Sequence, residues 1–195
     1  MGSGHSQQIS APRRPLDTYV AGHNDIGMYI RDAVADDAAA ACQVLRRSIV
    51  ELCAADHGHA PAILAQWLAN KTPEIVASWI ARPDGSVLVA VEENRILAVG
   101  SVTDAGVIGL NYVCPDARFR GISRAMIGAL EARAAARGNA RCTLISTETA
   151  RAFYRGSGYT EDGPPDNKFG ARGGYPMSRL LALHNSRVLR RGAFA

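Results

Sequence analysis

No apolar run in this 195-residue chain approaches the ~20 residues that a helix needs to cross a bilayer, so no membrane-spanning helix is expected. Charge of one sign is scarce as well: 22 Lys and Arg against 18 Asp and Glu leave an excess of only +4. Part of that excess sits in "RVLRR" (187–191). It helps to attract anions, but no aromatic residues are interleaved with it, so it makes no nucleic-acid stripe. Cysteine is sparse and unpatterned. Cys42, Cys53, Cys114 and Cys142 show no CxxC spacing and read as reduced, mostly buried thiols in a cytoplasmic protein. Residues 1–27 lack the roughly 7–15 apolar residues of a secretory signal. Their polar character, with Gly, Ser and Pro, reads as a flexible N-terminal extension before a domain that begins at Met28.

What is present is enough for one domain with a sizeable core: 47% apolar and 21% charged residues are ordinary for a globular chain. "MYIRDA" (28–33) is a short first strand, and Asp36 or Asp37 can cap the helix that follows, with Cys42, Leu45, Ile49 and Leu52 on one face. "DHGHAP" breaks that helix and "AILAQWLAN" makes a second. Thr72 as N-cap with Pro73 at the first helical position starts a third. Three strands follow, 86–92, 95–103 and 106–114, and their short connections make them antiparallel neighbours. A long helix over 121–137, a strand over 140–146, a short helix in "TARAFYRGSG" and a last strand within "YPMSRLLAL" complete the order. The expected class is α+β, with a mixed, mostly antiparallel central sheet flanked by helices.

The chemistry concentrates in "PDARFRGIS" (115–123), where a strand hands over to the long helix. A helix's opening turn carries N–H groups without internal partners and a partial positive charge. Gly121 permits a sharp turn and close approach of an anion. Arg118 and Arg120 add planar forks of donors that suit a diphosphate. Ser123 adds another N–H. A surface turn rich in arginine has the same composition, and the strand-to-helix placement is what favours the phosphate cradle.

Together with "TARAFYRGSGY", in which Tyr154 precedes the Gly-Tyr start of a strand, the motif Val113-Cys114-Pro115 followed by Arg118-Phe119-Arg120-Gly121-Ile122-Ser123 resembles the GNAT superfamily of acyl-CoA-dependent N-acyltransferases. The resemblance runs from Met28 to about Leu183. It implies the GNAT fold, an N-acetyltransferase domain over 28–183 with a basic tail over 184–195, and acetyl-CoA as co-substrate. It also implies a CoA site made by Val113, Arg118, Phe119, Arg120, Gly121, Ile122, Ser123 and Thr149, with Tyr154 as the acid that protonates the departing thiolate. Thr149 stands where many members have asparagine, and Ser123 where they have Gly or Ala. A core tyrosine with a satisfied hydroxyl is the other reading of Tyr154.

The base is not marked by any strand carboxylate, because Val107, Gly109, Asn111 and Val113 share one face. His57, Asp104, Glu148 or water are the candidates, set against solvated loop charges and exposed loop histidines. Cys53, His57 and His59 lack the spacing and the fourth ligand of a zinc site, so no metal is expected. Cys114 reads as a buried thiol rather than an acyl carrier, and Trp67 and Trp79 as core residues. The expected partners are a small-molecule or peptide amine and, as an open option, a second copy of the chain, with neither nucleic acid nor membrane. A non-catalytic acyl-CoA-binding module is the rival function.

Overall fold

A computed structural model describes residues 27–166 and 173–182. The extension before residue 27, the tail from 183 and part of the Gly/Pro-rich loop after Gly163 lie outside the described residues. The chain runs β1 (Tyr29–Asp32), α1 (Ala38–Leu52), α2 (Ala54–His57), α3 (Pro61–Leu68), α4 (Pro73–Ala81), β2 (Gly85–Glu92) and β3 (Arg95–Thr103). It continues with β4 (Ile108–Val113), α5 (Ile122–Ala136), β5 (Arg141–Ser146), α6 (Glu148–Gly156), β6 (Thr160–Glu161) and β7 (Tyr175–Leu180). The α+β class and the order of elements agree with the sequence expectation.

Local chemistry explains most boundaries. Thr72 caps α4 by accepting the Ile75 N–H at 3.3 Å, and Pro73 opens the helix. The β2–β3 hairpin turns on Glu93 and Asn94, both at positive φ (46° and 62°), as a two-residue hairpin loop matched to strand twist requires. Two boundaries differ from expectation. The strand expected from residue 106 begins at Ile108, because Gly106 and Val107 are used in the turn. The "DHGHAP" segment is not simply a break: Ala54–His57 form one helical turn, which Gly58 ends at φ 58°.

The sheet has two parts. Strands β1-β2-β3-β4 form one antiparallel set, and β5-β7-β6 form another. Residues Ser86–Val91 are all buried, which a strand achieves only when both of its faces are covered. Helices α4 and α5 pack on β2, α1 packs on the neighbouring β3, and their buried sides join the β2 and β3 side chains in one core. Leu45, Leu88, Val99, Met126 and Leu130 lie at its centre, 0% exposed. Arg133 sits at an apolar position of α5 in the sequence pattern and is indeed 7% exposed. Its guanidinium is satisfied there by both Asp32 oxygens at 2.9 Å and by the Ser86 hydroxyl at 2.6 Å.

Candidate active site

Strands β4 and β5 meet only where they begin. Val107 and Thr143 form a parallel bridge, and the Thr143 N–H donates to the Gly106 carbonyl at 3.0 Å. Gly106 is required at this seam: its φ is +77°, and a Cβ there would lie 2.7 Å from the Arg141 carbonyl oxygen. Beyond this bridge β4 and β5 share no further pairing, while β5 pairs with β7 on its other edge from Arg141 to Ser146, so β4 and β5 part. The gap is a cavity of about 520 Å³ lined by Ile108–Val113, Leu144–Thr147, the start of α5 and residues of α1 and α6.

Hydrogen-bond parity decides which β4 groups face that gap. The Cys114 N–H donates to Leu97 O at 2.7 Å, in register with Ala98↔Val113 and Gly100↔Asn111. Antiparallel pairs alternate, so Tyr112 turns its backbone groups toward β3. Asn111 and Val113 therefore direct theirs toward the cleft. This is the position the sequence assigned to Val113, and Asn111 stands equal to it.

At one end of the cavity lies the cradle. Gly121 is the N-cap of α5 at φ +76°, in left-handed backbone that glycine accepts without strain. The first helical bond runs from the Ala125 N–H to the Gly121 carbonyl at 3.0 Å, so the N–H groups before Ala125 have no partner within the helix. The first turn has no acidic residue, and a Cβ placed on Gly121 would meet nothing within 4 Å. Arg118, Phe119, Gly121, Ile122, Ser123 and Arg124 all line the cavity. Phe119 is 93% exposed at φ 62°, with the Arg118 guanidinium 4.6 Å from its ring centre. The Ile122 side chain is in the core, so only its backbone serves the cradle. Arg120 is not brought to the cavity. Its guanidinium holds both oxygens of Glu92 on β2 instead.

Tyr154 and Thr149 reach the cavity from α6, whose N-cap Thr147 accepts the Ala150 N–H at 3.3 Å. Tyr154 is 8% exposed and stacked edge-on with Phe153 and Tyr159. Burial pushes its phenol up to about 12, and a hydrogen bond with Asn111 pulls the other way. The hydroxyl is thus held neutral at the cavity wall. Tyr112 lines the same wall, its phenol also raised by burial and by the charges of Cys53, Tyr154 and Asp56.

None of the three side-chain candidates for a base lines the cavity. Asp104 pairs with Arg137 at 2.6 Å, and Glu148 pairs with Arg151 at 3.7 Å. His57 is 2% exposed rather than an exposed loop residue, with both ring nitrogens buried and unpartnered. It packs edge-on against His59 and Trp67. Trp67 is half-buried, and Trp79 packs on the core with the Lys71 ammonium 5.4 Å from its ring centre. Cys114 is buried beside Arg47 and Asp116, outside the cavity wall. Among the described residues no three His, Cys, Asp or Glu side chains gather as a metal set, and no helix is long and apolar enough to cross a membrane.

Asp56 did not register in the sequence. It is 2% exposed, and its Oδ1 accepts the Thr149 N–H at 3.0 Å, capping α6 from 93 residues away. Glu92, the partner of Arg120, was also missed. Neither contact has a local signal, because both depend on pairing between distant segments.

The family model of the acetyltransferase (GNAT) domain matches residues 54–181. No curated protein matches the sequence. Among solved structures, the fold is similar to that of a GCN5-related N-acetyltransferase from Rhodopseudomonas palustris, with a TM-score of 0.71 and 23% identity, covering 82% of this chain and 100% of that one. It is similar also to the PaiA N-acetyltransferase from Thermoplasma acidophilum, solved in complex with coenzyme A, with a TM-score of 0.67 and 14% identity over 80% of this chain and 99% of that one. The ribosomal-protein-S18-alanine N-acetyltransferase from Escherichia coli gives a TM-score of 0.57 and 17% identity, covering 83% and 98%. At such identities these likenesses concern the fold.

Proposed function

The chain belongs to the GNAT acetyltransferase family and is an acyltransferase, and from that premise we propose that it moves an acetyl group from acetyl-CoA to a primary amine by direct attack. The observation that carries this reading is the open β4–β5 cleft, with an anion cradle at one end and a neutral, buried phenol on its wall. The cradle suits a diphosphate: unpaired N–H groups, an arginine at the cavity, no acid in the first turn and open space over Gly121. Acetyl-CoA supplies the acetyl group as an activated thioester.

Each protein group then has a definite task. Arg118 and the backbone from Phe119 to Ser123 hold the diphosphate, while Arg120 braces the loop through Glu92. The N–H groups of Asn111 and Val113 align the coenzyme arm and stabilise negative charge on the carbonyl oxygen, worth about 3–4 kcal/mol for a well-placed donor. Thr149 holds the arm from α6. Tyr154 donates its proton to the departing thiolate. With no carboxylate or imidazole on the wall among the described residues, water takes the proton that the amine loses. We assign the reaction to the domain at 28–183 and to the cytoplasm, a location supported by four unpaired cysteines.

Release of free thiol from acetyl-CoA, followed across a panel of primary amines, tests the proposal. Amine-dependent release is the expected result. Binding of acetyl-CoA without release in any member of the panel would instead establish the non-catalytic module.

A further inference from the structure

Direct attack on a thioester has a proton balance that depends on the form in which the amine arrives. With a neutral amine the C–N bond forms, the C–S bond breaks, the nitrogen sheds one proton and the thiolate takes one. Tyr154 gives its proton to the thiolate and regains, through water, the one that the nitrogen sheds, so the two cancel. An ammonium brings one proton more. A group at the site has to accept it before the nitrogen has a lone pair with which to attack.

Five ionisable side chains line the cavity among the described residues: Cys53, Tyr112, Arg118, Arg124 and Tyr154. None of them is a base near neutral pH. Arg118 and Arg124 are guanidinium cations at any working pH, and they stand at the start of α5, the end assigned to the diphosphate. The other three are weak acids that burial keeps protonated. Burial pushes Tyr154 up to about 12 against a pull from Asn111. Burial and then the Asp56 charge push the Cys53 thiol up to about 12. The Tyr112 phenol is raised by burial first, then by Cys53, Tyr154 and Asp56. Asp56 itself does not line the cavity; it is 2% exposed, and its Oδ1 accepts the Thr149 N–H. The sequence of 167–172, NKFGAR, contains neither carboxylate nor imidazole.

Away from the cradle, then, the wall is uncharged, and Leu52, Ile108, Leu110 and Phe153 make much of it apolar. An ammonium moved from water to such a wall loses its hydration and meets no counter-ion, a cost that a neutral amine escapes. We infer that the acceptor is a weakly basic primary amine, largely neutral in water near pH 7.5, and not an alkylamine such as a lysine side chain or a polyamine. An α-amine beside a carbonyl group, a hydrazine and an aromatic amine all share this chemistry. An α-amine titrating near 8 is roughly one-third neutral at pH 7.5, against about one part in a thousand for an alkylamine titrating near 10.4. The inference rests on the acetyl-transfer reading, and its test separates the two.

Phenylalaninamide and phenethylamine share the phenyl ring and its spacing from the nitrogen, and differ by the carboxamide that makes the first less basic. Thiol release by the full chain at saturating acetyl-CoA, corrected for the uncatalysed reaction, gives kcat/KM for each from pH 6.5 to 10. For phenethylamine it should rise about tenfold per pH unit between pH 7 and 9, as the neutral fraction does. For phenylalaninamide it should level off near pH 8, and at pH 7.5 it should be at least tenfold above the phenethylamine value. Tyr154 keeps its proton through this range, so no falling limb masks the rise. A phenethylamine profile that is flat between pH 7 and 9, or a higher rate for phenethylamine at pH 7.5, means that the site deprotonates ammonium. Either result overturns the inference and leaves acetyl transfer standing. Thiol release from neither probe, nor from the much smaller hydrazine, overturns the acetyl-transfer reading and the inference with it.

Discussion

Replacing Tyr154 by phenylalanine removes one oxygen and leaves the ring against Phe153 and Tyr159, with centroids 5.1 Å and 5.6 Å away. Packing therefore survives, and only the hydroxyl to which we assign the proton donation is lost. Positioned acids contribute on the order of 100-fold or more to rate, so kcat should fall by about that factor while the KM for acetyl-CoA stays within about twofold. Steady-state thiol release measures both, and an unchanged kcat would remove Tyr154 as the acid. The pH dependence follows from the same burial. A phenol pushed up to about 12 keeps its proton through pH 10, where an exposed tyrosine would lose it. A loss of kcat between pH 8 and 10 would have to come from another group. The place of Tyr154, on a short helix just before the Gly-Tyr strand start, was legible in the sequence. Its setting was not: Asn111, 43 positions earlier, lines the same cavity wall only because the fold brings β4 beside α6.

At the scale of elements, the start of α5 is the feature with the sharpest backbone requirement. Gly121 holds φ +76° with open space where a Cβ would stand, so Gly121→Ala tests backbone conformation without a clash. Left-handed backbone costs an L-residue about 1–2 kcal/mol, and urea unfolding without coenzyme should register a loss of about that size. No loss would mean that the cap does not need this conformation. The helix itself was readable to within one residue at each end, 121–137 against Ile122–Ala136, because an apolar face and a Gly-Asn stop are local signals. The hairpin at Glu93-Asn94 and the Thr72 cap were readable for the same reason. Helix α2 was not, since four residues are too short to show a period. Its burial of Asp56 and His57 comes from packing against α6 and has no trace in the spacing of "ADHGHA". Likewise Arg120 was legible as a cation of the loop, but its pairing with Glu92 depends on β2 passing beside that loop.

Among the described residues the two sides of the cleft are joined by the Val107–Thr143 bridge, the Asp56–Thr149 hydrogen bond, the packing of α2 on α6 and that of α5 on both β4 and β5, among other contacts. A ligand that touches both sides of the gap therefore adds contacts between its walls, and its binding should raise the stability of the entire domain. For a ligand at a hundred times its dissociation constant the gain is about 2.7 kcal/mol, which for a domain of this size raises Tm by roughly 5–10 °C. Acetyl-CoA should produce a shift of that order in calorimetry. The double variant Arg118→Ala with Gly121→Glu removes the cavity-facing arginine and sets a carboxylate against the unpaired N–H groups, so the shift should vanish even though the variant folds. Arg120→Ala is the internal comparison. Its side chain is on Glu92 rather than at the cavity, so the variant should lose some basal stability but keep most of the coenzyme shift. The opposite pattern, with the shift lost in Arg120→Ala and retained in the double variant, would mean that the diphosphate is gripped from the Glu92 side of the loop and that the cradle at α5 is not its site.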